Sequence, residues 1–294
     1  MNAPQTNTTL TTTGSGRSIG EILVATGRLS APNLQRVLER QKLDSTPFGT
    51  AAVALNLLTK DDIDFALSKQ FDYAYLTPQD ASVSPELVAA FKPFSRVGEN
   101  LRAVRSQLML RWFNGQALHQ VLAIVSPQQG EGRSFIAANL AIVFAQNGER
   151  TLLIDGNMRA TTDTGQHALF KLGRGVGLSG VLSGRGGLEA AQLVPGLPGL
   201  AVLPAGSVPP NPQELIGRNS FADLLREACQ QFDVILIDTP AGEDSADAEL
   251  IAARAGAALM VARKDYSLTP KTSAMARRMQ DSGIALVGAV LNDA

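Results

Sequence analysis

A glycine-rich segment near the middle of the chain carries residue types that bind phosphate. It reads Gly130-Glu-Gly-Arg-Ser134, with an apolar run on either side. Glycines let backbone N–H groups face phosphate oxygens, and a helix N-terminus adds a favourable partial positive charge. The Ser134 hydroxyl in such a loop is placed to hold Mg²⁺. The segment therefore predicts a nucleotide site formed by Gly130, Glu131, Gly132, Arg133, Ser134 and Phe135.

Two aspartates, each at the end of an apolar run, complete this chemistry. Asp155 ends the run that begins at Thr151, and Asp238 ends the run that begins at Phe232. A single aspartate at a strand end is usually a cap for the next segment. In an open parallel sheet, however, ligands bind beyond the carboxyl ends of the strands. We therefore expect Asp238 to share Mg²⁺ with Ser134, and both aspartates to lie above the phosphate loop.

The elements that must position these residues belong to an α/β fold. Val121–Val125 is an apolar run of strand type, and Phe135–Gln146 is an apolar helix that ends at Gly148. A strand, a glycine-rich turn and a helix form the context that a phosphate-binding loop requires. The pattern predicts a doubly wound, mostly parallel sheet in a P-loop domain that spans residues 96–294.

A repeat with a period of 29 residues precedes this domain. Ser18–Gln41 aligns with Pro47–Gln70, and each copy has a small hydroxyl residue, Ser30 or Thr59, where a helix should begin. Apolar residues three and four positions apart then share one helical face in each copy. Two such units can bury these faces against each other, which predicts a small helical repeat domain over residues 18–77.

The segments that flank this repeat differ from it in composition. Residues 1–17 are rich in Thr, Asn, Ser and Gly and have no apolar core, so we expect a disordered tail and not a secretory signal. Prolines punctuate the stretch between the two domains, which predicts a linker over residues 78–95.

The overall composition excludes several classes of function. The formal net charge of −1 provides no general attraction to nucleic acid or anionic lipid. Cys229 is the only cysteine, which suits a reducing compartment and excludes an internal disulfide. No apolar run approaches the ~20 residues that a membrane-spanning helix needs. We therefore expect a cytoplasmic protein without direct membrane insertion and without a nucleic-acid partner.

A charged helix is predicted at the start of the second domain. It runs from about Val97 to Phe113, and Glu99, Arg102 and Arg105 follow one another at intervals of three residues. This spacing places the three side chains on one helical face, where they can pair with one another. Such a face is most often only a solvated surface.

These motifs together resemble the bacterial tyrosine kinases (BY-kinases) of exopolysaccharide assembly, within the larger MinD/ParA-like group of ATPases. The glycine-rich loop, the segment with Asp155 and the segment with Asp238 look like their Walker A, A′ and B motifs. The loop and the N-terminal repeat are most similar to the EpsG-type chain-length-determinant tyrosine kinases. Further similar segments are the charged face of Glu99, Arg102 and Arg105, the PAG…PPNPQEL stretch at Leu203–Leu215, and the closing Val290-Leu-Asn292.

The resemblance implies a reaction, cofactors and partners. ATP and Mg²⁺ would be the cofactors, with Asn292 close to the adenine and Arg133 on the phosphates. Asp155, Arg133 and Asp238 would be the catalytic residues, and Asp155 would orient or deprotonate a tyrosine hydroxyl. The charged face would form a ring of protomers. A separate membrane protein, a polysaccharide co-polymerase that determines chain length, would activate the kinase and hold it at the periphery of the inner membrane.

Several positions depart from the pattern of this family. Arg133 replaces the usual loop lysine, and Asn157 replaces a second aspartate of the Walker A′ motif. Tyr73, Tyr75 and Tyr266 are the only tyrosines, so the C-terminal tyrosine cluster that such kinases autophosphorylate has no counterpart. These departures leave open an alternative, in which the protein binds ATP and switches its assembly without phosphorylating anything.

The N-terminal repeat resembles a different family, the MshEN domain of type II secretion and pilus ATPases. Some members of that family bind cyclic di-GMP through basic residues that open each motif. Here Ser18 and Pro47 occupy those positions, with Arg17 one residue away. This departure favours a docking domain without a nucleotide, while a signalling adaptor that senses cyclic di-GMP is the third alternative.

Overall fold

The computed structural model describes residues 17–70, 74, 76–77, 80–115, 119–160 and 164–293. The predicted disordered tail, residues 1–17, lies outside the described residues apart from Arg17. The chain divides into two compact units, Met1–Tyr73 and Ala74–Ala294. The first unit therefore ends close to the predicted boundary at residue 77.

The first unit contains helices in its described residues. These are α1 (Ile19–Ala25), α2 (Ala31–Asp44), α3 (Phe48–Ala54) and α4 (Lys60–Gln70). The side chain of Ser30 accepts a hydrogen bond from the backbone of Asn33, and Thr59 accepts one from the backbone of Asp62. Both predicted hydroxyl caps are thus confirmed. The opening segment of each copy, before the capping residue, is also a helix.

The repeat is visible in the core and in the turns of this unit. Val37 and Ala66, one from each copy, are completely buried. Gly27 and Asn56 occupy equivalent turns and both have positive φ, 72° and 53°. Asparagine tolerates this left-handed conformation better than most residues, which explains how it replaces glycine in the second copy. Leu38, one of the apolar residues at this spacing in the first copy, is 37% exposed.

The second unit is built on a seven-stranded sheet within the described residues, in the order β3-β4-β2-β5-β1-β6-β7. Its strands are β1 (Val121–Val125), β2 (Thr151–Asp155), β3 (Gln192–Leu193), β4 (Leu200–Leu203), β5 (Val234–Asp238), β6 (Ala257–Arg263) and β7 (Ala285–Asn292). All neighbouring pairs are parallel except β3 with β4. The predicted mostly parallel sheet is therefore confirmed.

Helices pack on this sheet. They are α5 (Val88–Phe91), α6 (Arg96–Arg111), α7 (Arg133–Gln146), α8 (Gln166–Leu169), α9 (Gly177–Leu182), α10 (Pro212–Gly217), α11 (Asn219–Gln231), α12 (Asp247–Ala255) and α13 (Thr269–Asp281), with a short 3₁₀ helix at Leu188–Ala190. The helix α7 is buried along almost its whole length. It begins two residues earlier than predicted, at Arg133, so the phosphate loop leads directly into its first turn.

The described part of segment 78–95 belongs to the second unit and is not a linker. Leu87, Ala89 and Ala90 are completely buried in the core that also contains α7. The Asn139 side chain on α7 accepts a hydrogen bond of 2.9 Å from the backbone N–H of Ala89. The prolines therefore mark bends of a packed segment, because proline interrupts helices without preventing burial.

The packing of this segment gives a first testable prediction. We expect Leu87→Ala to lower the free energy of unfolding of the second unit by about 2–5 kcal/mol, because it leaves a cavity in a close-packed core. Leu110, which is 74% exposed on α6, provides the matched control. Leu110→Ala should stay within about 0.5 kcal/mol of the wild type. Chemical denaturation measures both changes, and equal stability of the two variants would restore the linker interpretation.

Candidate nucleotide and metal site

The loop after β1 has the backbone conformation that phosphate binding requires. Gly130 and Gly132 have positive φ angles of 73° and 93°, which other residues adopt only with strain. Gly132 is also the N-cap of α7. A Cβ atom at position 132 would lie 2.2 Å from Nδ2 of Asn292. The loop therefore needs glycine for its conformation, and a side chain at position 132 would displace the amide of Asn292.

Side chains from three parts of the chain fasten this loop. The buried carboxylate of Glu131 accepts hydrogen bonds from the backbone N–H of Gln128 and from the hydroxyl of Ser267. Asn292, which was expected near the adenine, donates to the backbone carbonyl of Glu131 at 3.2 Å. The Glu131 side chain thus stabilises the loop from inside, so the nucleotide contact expected at this position would come from its backbone.

The turn after β6 supplies two more attachments. Arg263 donates from Nη1 to the carbonyl of Gly130, and the Tyr266 hydroxyl donates to the carbonyl of Gln129, both at 3.1 Å. No local pattern predicts these contacts, because the residues are more than 130 positions apart. Phe135, another residue of the predicted nucleotide set, lies in the first turn of α7 and packs against the core.

Arg133 reaches across the base of the loop. Its Nε atom donates to the carbonyl of Thr239 at 2.8 Å, and Nη1 donates to Oγ of Ser126 at 2.6 Å and to the carbonyl of Gln128 at 3.0 Å. Among the described residues, Nη2 has no hydrogen-bond partner. Burial lowers the pKa of the guanidinium, while the negative charge of Asp238 raises it. Arg133 therefore braces the loop and still has one nitrogen with donors available to a phosphate.

The two predicted aspartates are side by side. Asp155 and Asp238 are register partners at the ends of β2 and β5, and each is 1% exposed. Oδ1 of Asp155 accepts from the backbone N–H of Asn157 at 3.1 Å, and Oδ2 accepts from that of Gln166 at 2.9 Å. Burial, together with the neighbouring charge of Asp238, raises the pKa of Asp155 to about 7. Burial also raises the pKa of Asp238.

Ser134 and Asp238, the predicted metal pair, lie close to each other. The Ser134 side chain favours the ionised form of the Asp238 carboxylate and so lowers its pKa, against the effect of burial. Oδ1 of Asp238 is buried and has no hydrogen-bond partner among the described residues. An unpaired, buried carboxylate oxygen next to a serine hydroxyl suits Mg²⁺, which prefers oxygen ligands. The residues present therefore fit a magnesium ion.

A cavity of about 500 Å³ lies beside the phosphate loop. Gly130, Arg133, Asn157, Arg159 and Asp244 contribute to its lining. Arg159 is held in a two-point ion pair with the buried Asp247, with distances of 2.7 and 3.1 Å. The cavity thus joins the phosphate loop to the end of β2, and it provides space for a phosphorylated ligand.

The predicted ring-forming residues lie on α6, as expected, and make contacts within the chain. Arg102 pairs with Glu99 at 2.5 Å and donates from Nη1 to the carbonyl of Pro93 at 2.6 Å. Arg105 donates to the carbonyl of Val143 on α7 at 3.2 Å. The Glu99 side chain is 72% exposed. A single chain contains no contacts between protomers, so the ring stays a prediction.

Comparison with known proteins identifies relatives that share this domain. CapB of Staphylococcus aureus, a putative tyrosine-protein kinase, is 32% identical over 217 residues, which cover 74% of this chain and 92% of CapB. A putative tyrosine-protein kinase in the cps region of Klebsiella pneumoniae is 30% identical over 259 residues, 88% of this chain. The chain spans 35% of the length of the Klebsiella protein.

A solved structure agrees with these relatives. The kinase domain of the Escherichia coli tyrosine kinase Etk superposes with a TM-score of 0.67 and 29% sequence identity, over 74% of this chain and 83% of that domain. No protein-family model matches the chain. Its likeness to CapB over almost the whole of that protein, together with the shared fold, shows that the chain belongs to the bacterial tyrosine-protein kinases.

Proposed function

We propose that the chain is the ATP-dependent tyrosine kinase component of an exopolysaccharide chain-length and export regulator. The observation that carries this proposal is the arrangement of Asp155 and Asp238 side by side at the ends of β2 and β5, with Ser134 of the phosphate loop close to Asp238. Membership of the tyrosine-kinase family and the cps region named for one relative support it. The acceptor is a tyrosine hydroxyl, and the products are phosphotyrosine and ADP.

In this proposal each residue has a distinct part in phosphoryl transfer. Backbone N–H groups of Gly130–Ser134 and the Nη2 atom of Arg133 hold the phosphate oxygens in place. Ser134 and Asp238 would hold Mg²⁺, which would supply positive charge against the charge that develops on the phosphates. Asp155 accepts the proton of the tyrosine hydroxyl, since a base works best when its pKa lies near the operating pH. Catalysis consists mainly of positioning and charge stabilisation.

The proposal includes a membrane partner. No helix in the described part of the chain is long and apolar enough to span a bilayer. We infer that a separate membrane protein, a chain-length determinant of the polysaccharide co-polymerase type, activates the kinase and keeps it at the cytoplasmic side of the inner membrane. The N-terminal unit would then serve as a docking domain, and cyclic di-GMP is the less favoured ligand for it.

A second candidate function is an ATP-dependent switch without kinase activity. The observation that favours it is the engagement of Arg133 with three groups of its own chain, where the family pattern has a lysine. Asn157 also removes a carboxylate from the Walker A′ segment. Such a protein would bind ATP and change its assembly, with the same loop and the same metal pair.

One experiment distinguishes the two functions. The purified protein is incubated with ATP and Mg²⁺, with and without the cytosolic segment of the membrane partner, and phosphotyrosine and ADP are both measured. Phosphotyrosine that requires the partner segment supports the kinase. ADP binding or release without phosphotyrosine in any condition supports the switch. Asp238→Ala is the negative control, because it removes a metal contact.

The ring predicted from the charged face can be tested through its exposed acid. Replacing Glu99 with Ala removes the exposed partner of Arg102 and leaves the bonds of both arginines to Pro93 and Val143 intact. In a head-to-tail ring that acid meets the bases of the next protomer. We expect Glu99→Ala, like the double variant Arg102→Ala/Arg105→Ala, to shift the ATP-bound protein towards monomer in analytical ultracentrifugation.

Stability measurements serve as the control for the ring. Glu99→Ala should keep the thermal midpoint of the wild type, because one exposed ion pair contributes little to folding. The double arginine variant also loses two contacts to backbone carbonyls, so its loss of assembly counts only if it remains folded. A wild type that stays monomeric with ATP and the partner segment would refute the ring.

A further inference from the structure

Gln166 connects three parts of the site, although no motif pointed to it. Its side chain is completely buried at the start of α8. Its backbone N–H donates to Oδ2 of Asp155 at 2.9 Å. Its Nε2 atom donates to Oδ2 of Asp238 at 2.8 Å and to the backbone carbonyl of Ser134 at 3.2 Å. One residue thus links the ends of β2 and β5 to the first turn of the loop helix.

Two buried oxygen atoms in this group lack a partner. Oε1 of Gln166 and Oδ1 of Asp238 have no hydrogen-bond partner among the described residues. A buried acceptor without a partner is unfavourable, so it usually indicates a group that is absent from the structure or a functional role. Both atoms accept hydrogen bonds and neither can donate one, which suits a cation and the water molecules that accompany it.

The backbone before Gln166 is adapted to the close contact with Asp155. Gly165 has a φ of 112°, in the region that favours glycine. A Cβ atom at this position would lie 2.7 Å from Oδ2 of Asp155. A side chain there would displace either the carboxylate of Asp155 or the backbone that contacts it. The glycine therefore allows Gln166 to enter the site.

We propose that Gln166 is a positioning residue of the magnesium site. Its amide nitrogen fixes the Asp238 carboxylate against the loop helix, and its Oε1 atom accepts a hydrogen bond from a water molecule that Mg²⁺ carries. Mg²⁺ keeps several waters when it binds to proteins, and each of these waters needs an acceptor. The inference rests on the proposed metal site, and it does not require that the protein transfers a phosphoryl group.

The test compares the affinity for ADP with Mg²⁺ and with EDTA, by calorimetry on the full chain. Gln166→Leu removes both polar atoms and keeps a side chain of similar size. We expect its affinity in EDTA to stay within about threefold of the wild type. The gain in affinity that Mg²⁺ provides should fall by about 10- to 100-fold, as is usual when a partner of a metal ligand is removed.

Gln146 on α7 provides a matched control. Its amide nitrogen donates to the backbone carbonyls of Ala74 and Ala89 at 2.8 and 2.9 Å, outside the site. Gln146→Leu should keep the full gain in ADP affinity that Mg²⁺ provides, because in this proposal Gln166, and not Gln146, acts on the cation. An unchanged magnesium effect in Gln166→Leu, or an equal loss in Gln146→Leu, would overturn the proposal. If the wild type binds ADP equally tightly with Mg²⁺ and with EDTA, the proposed metal site is overturned as well.

A second variant keeps the proposal testable if Gln166→Leu does not fold. Gln166→Glu has the same shape and places a third carboxylate beside Asp155 and Asp238. Mutual repulsion should lower its thermal midpoint without a cation. Mg²⁺ should then raise the midpoint by more degrees than in the wild type. A rise no larger than that of the wild type would show that position 166 does not face the cation.

Discussion

Asp155→Asn should abolish tyrosine phosphorylation almost completely while leaving nucleotide binding intact. The substitution keeps the size of the side chain and removes the proton acceptor, and general bases contribute about 10²- to 10⁴-fold to such reactions. The single amide oxygen of the asparagine can still accept from the backbone N–H of Gln166, and the phosphate loop, Ser134 and Asp238 are unchanged. The affinity for ADP with Mg²⁺ should therefore stay within a few-fold of the wild type. Phosphotyrosine formation measures the first quantity and calorimetry measures the second.

The pH profile provides an independent check on the same role. Burial and the charge of Asp238 raise the pKa of Asp155 to about 7. A base acts only when ionised, so kcat/KM should rise with pH and at pH 6 should reach about a tenth of its plateau. Asp281→Asn, at an exposed position at the end of α13, should behave as the wild type. A profile that is flat between pH 6 and 8 would exclude Asp155 as the base.

Arg133→Ala should reduce turnover by about 10²- to 10³-fold, the usual cost of losing one donor to developing charge. It also removes the donor to Oγ of Ser126 and to the carbonyl of Thr239, and one of the two donors to the carbonyl of Gln128. Arg133→Lys should keep a measurable share of the activity, because an ammonium group carries three donors on one atom. Steady-state kinetics with ATP tests both variants.

The affinity for nucleotide separates the two tasks of Arg133. If Nη2 contacts a phosphate, Arg133→Ala weakens the binding of ATP. If the residue only braces the loop, unfolding becomes easier while ATP binds the remaining folded protein as before. Equal turnover in the wild type and the alanine variant would show that Arg133 has neither task.

Much of this site could be predicted from local sequence because its residues lie at the ends of regular elements. An apolar run of strand type fixes the position of Asp155 or Asp238 at the end of its strand, and parallel pairing brings the two ends together. The glycines of the loop can be recognised from the sequence, because glycine adopts positive φ with less strain than other residues. These local rules needed no knowledge of distant contacts.

The parts that sequence reasoning missed depend on distant contacts. Gln166 lies in a four-residue helix, and its partners on β5 and α7 are 72 and 32 positions away. The segment around Leu87 reads as a linker because of its prolines, and only the facing surface of α7 explains its burial. The direction of the Arg133 side chain likewise depends on carbonyl groups that no motif encodes.

The carboxylate pair also affects the stability of the folded protein and its resistance to proteolysis. Asp155 has a higher pKa in the folded state than its usual value of 3.8, so its contribution to stability is complete below that value. The contribution is lost as the pH rises through about 7, at a cost on the order of a few kcal/mol. A bound cation that offsets the charge restores it. At neutral pH the protein without ligand should therefore open and be cleaved by proteases sooner than the nucleotide-loaded form, which ties its lifetime to occupancy of the site.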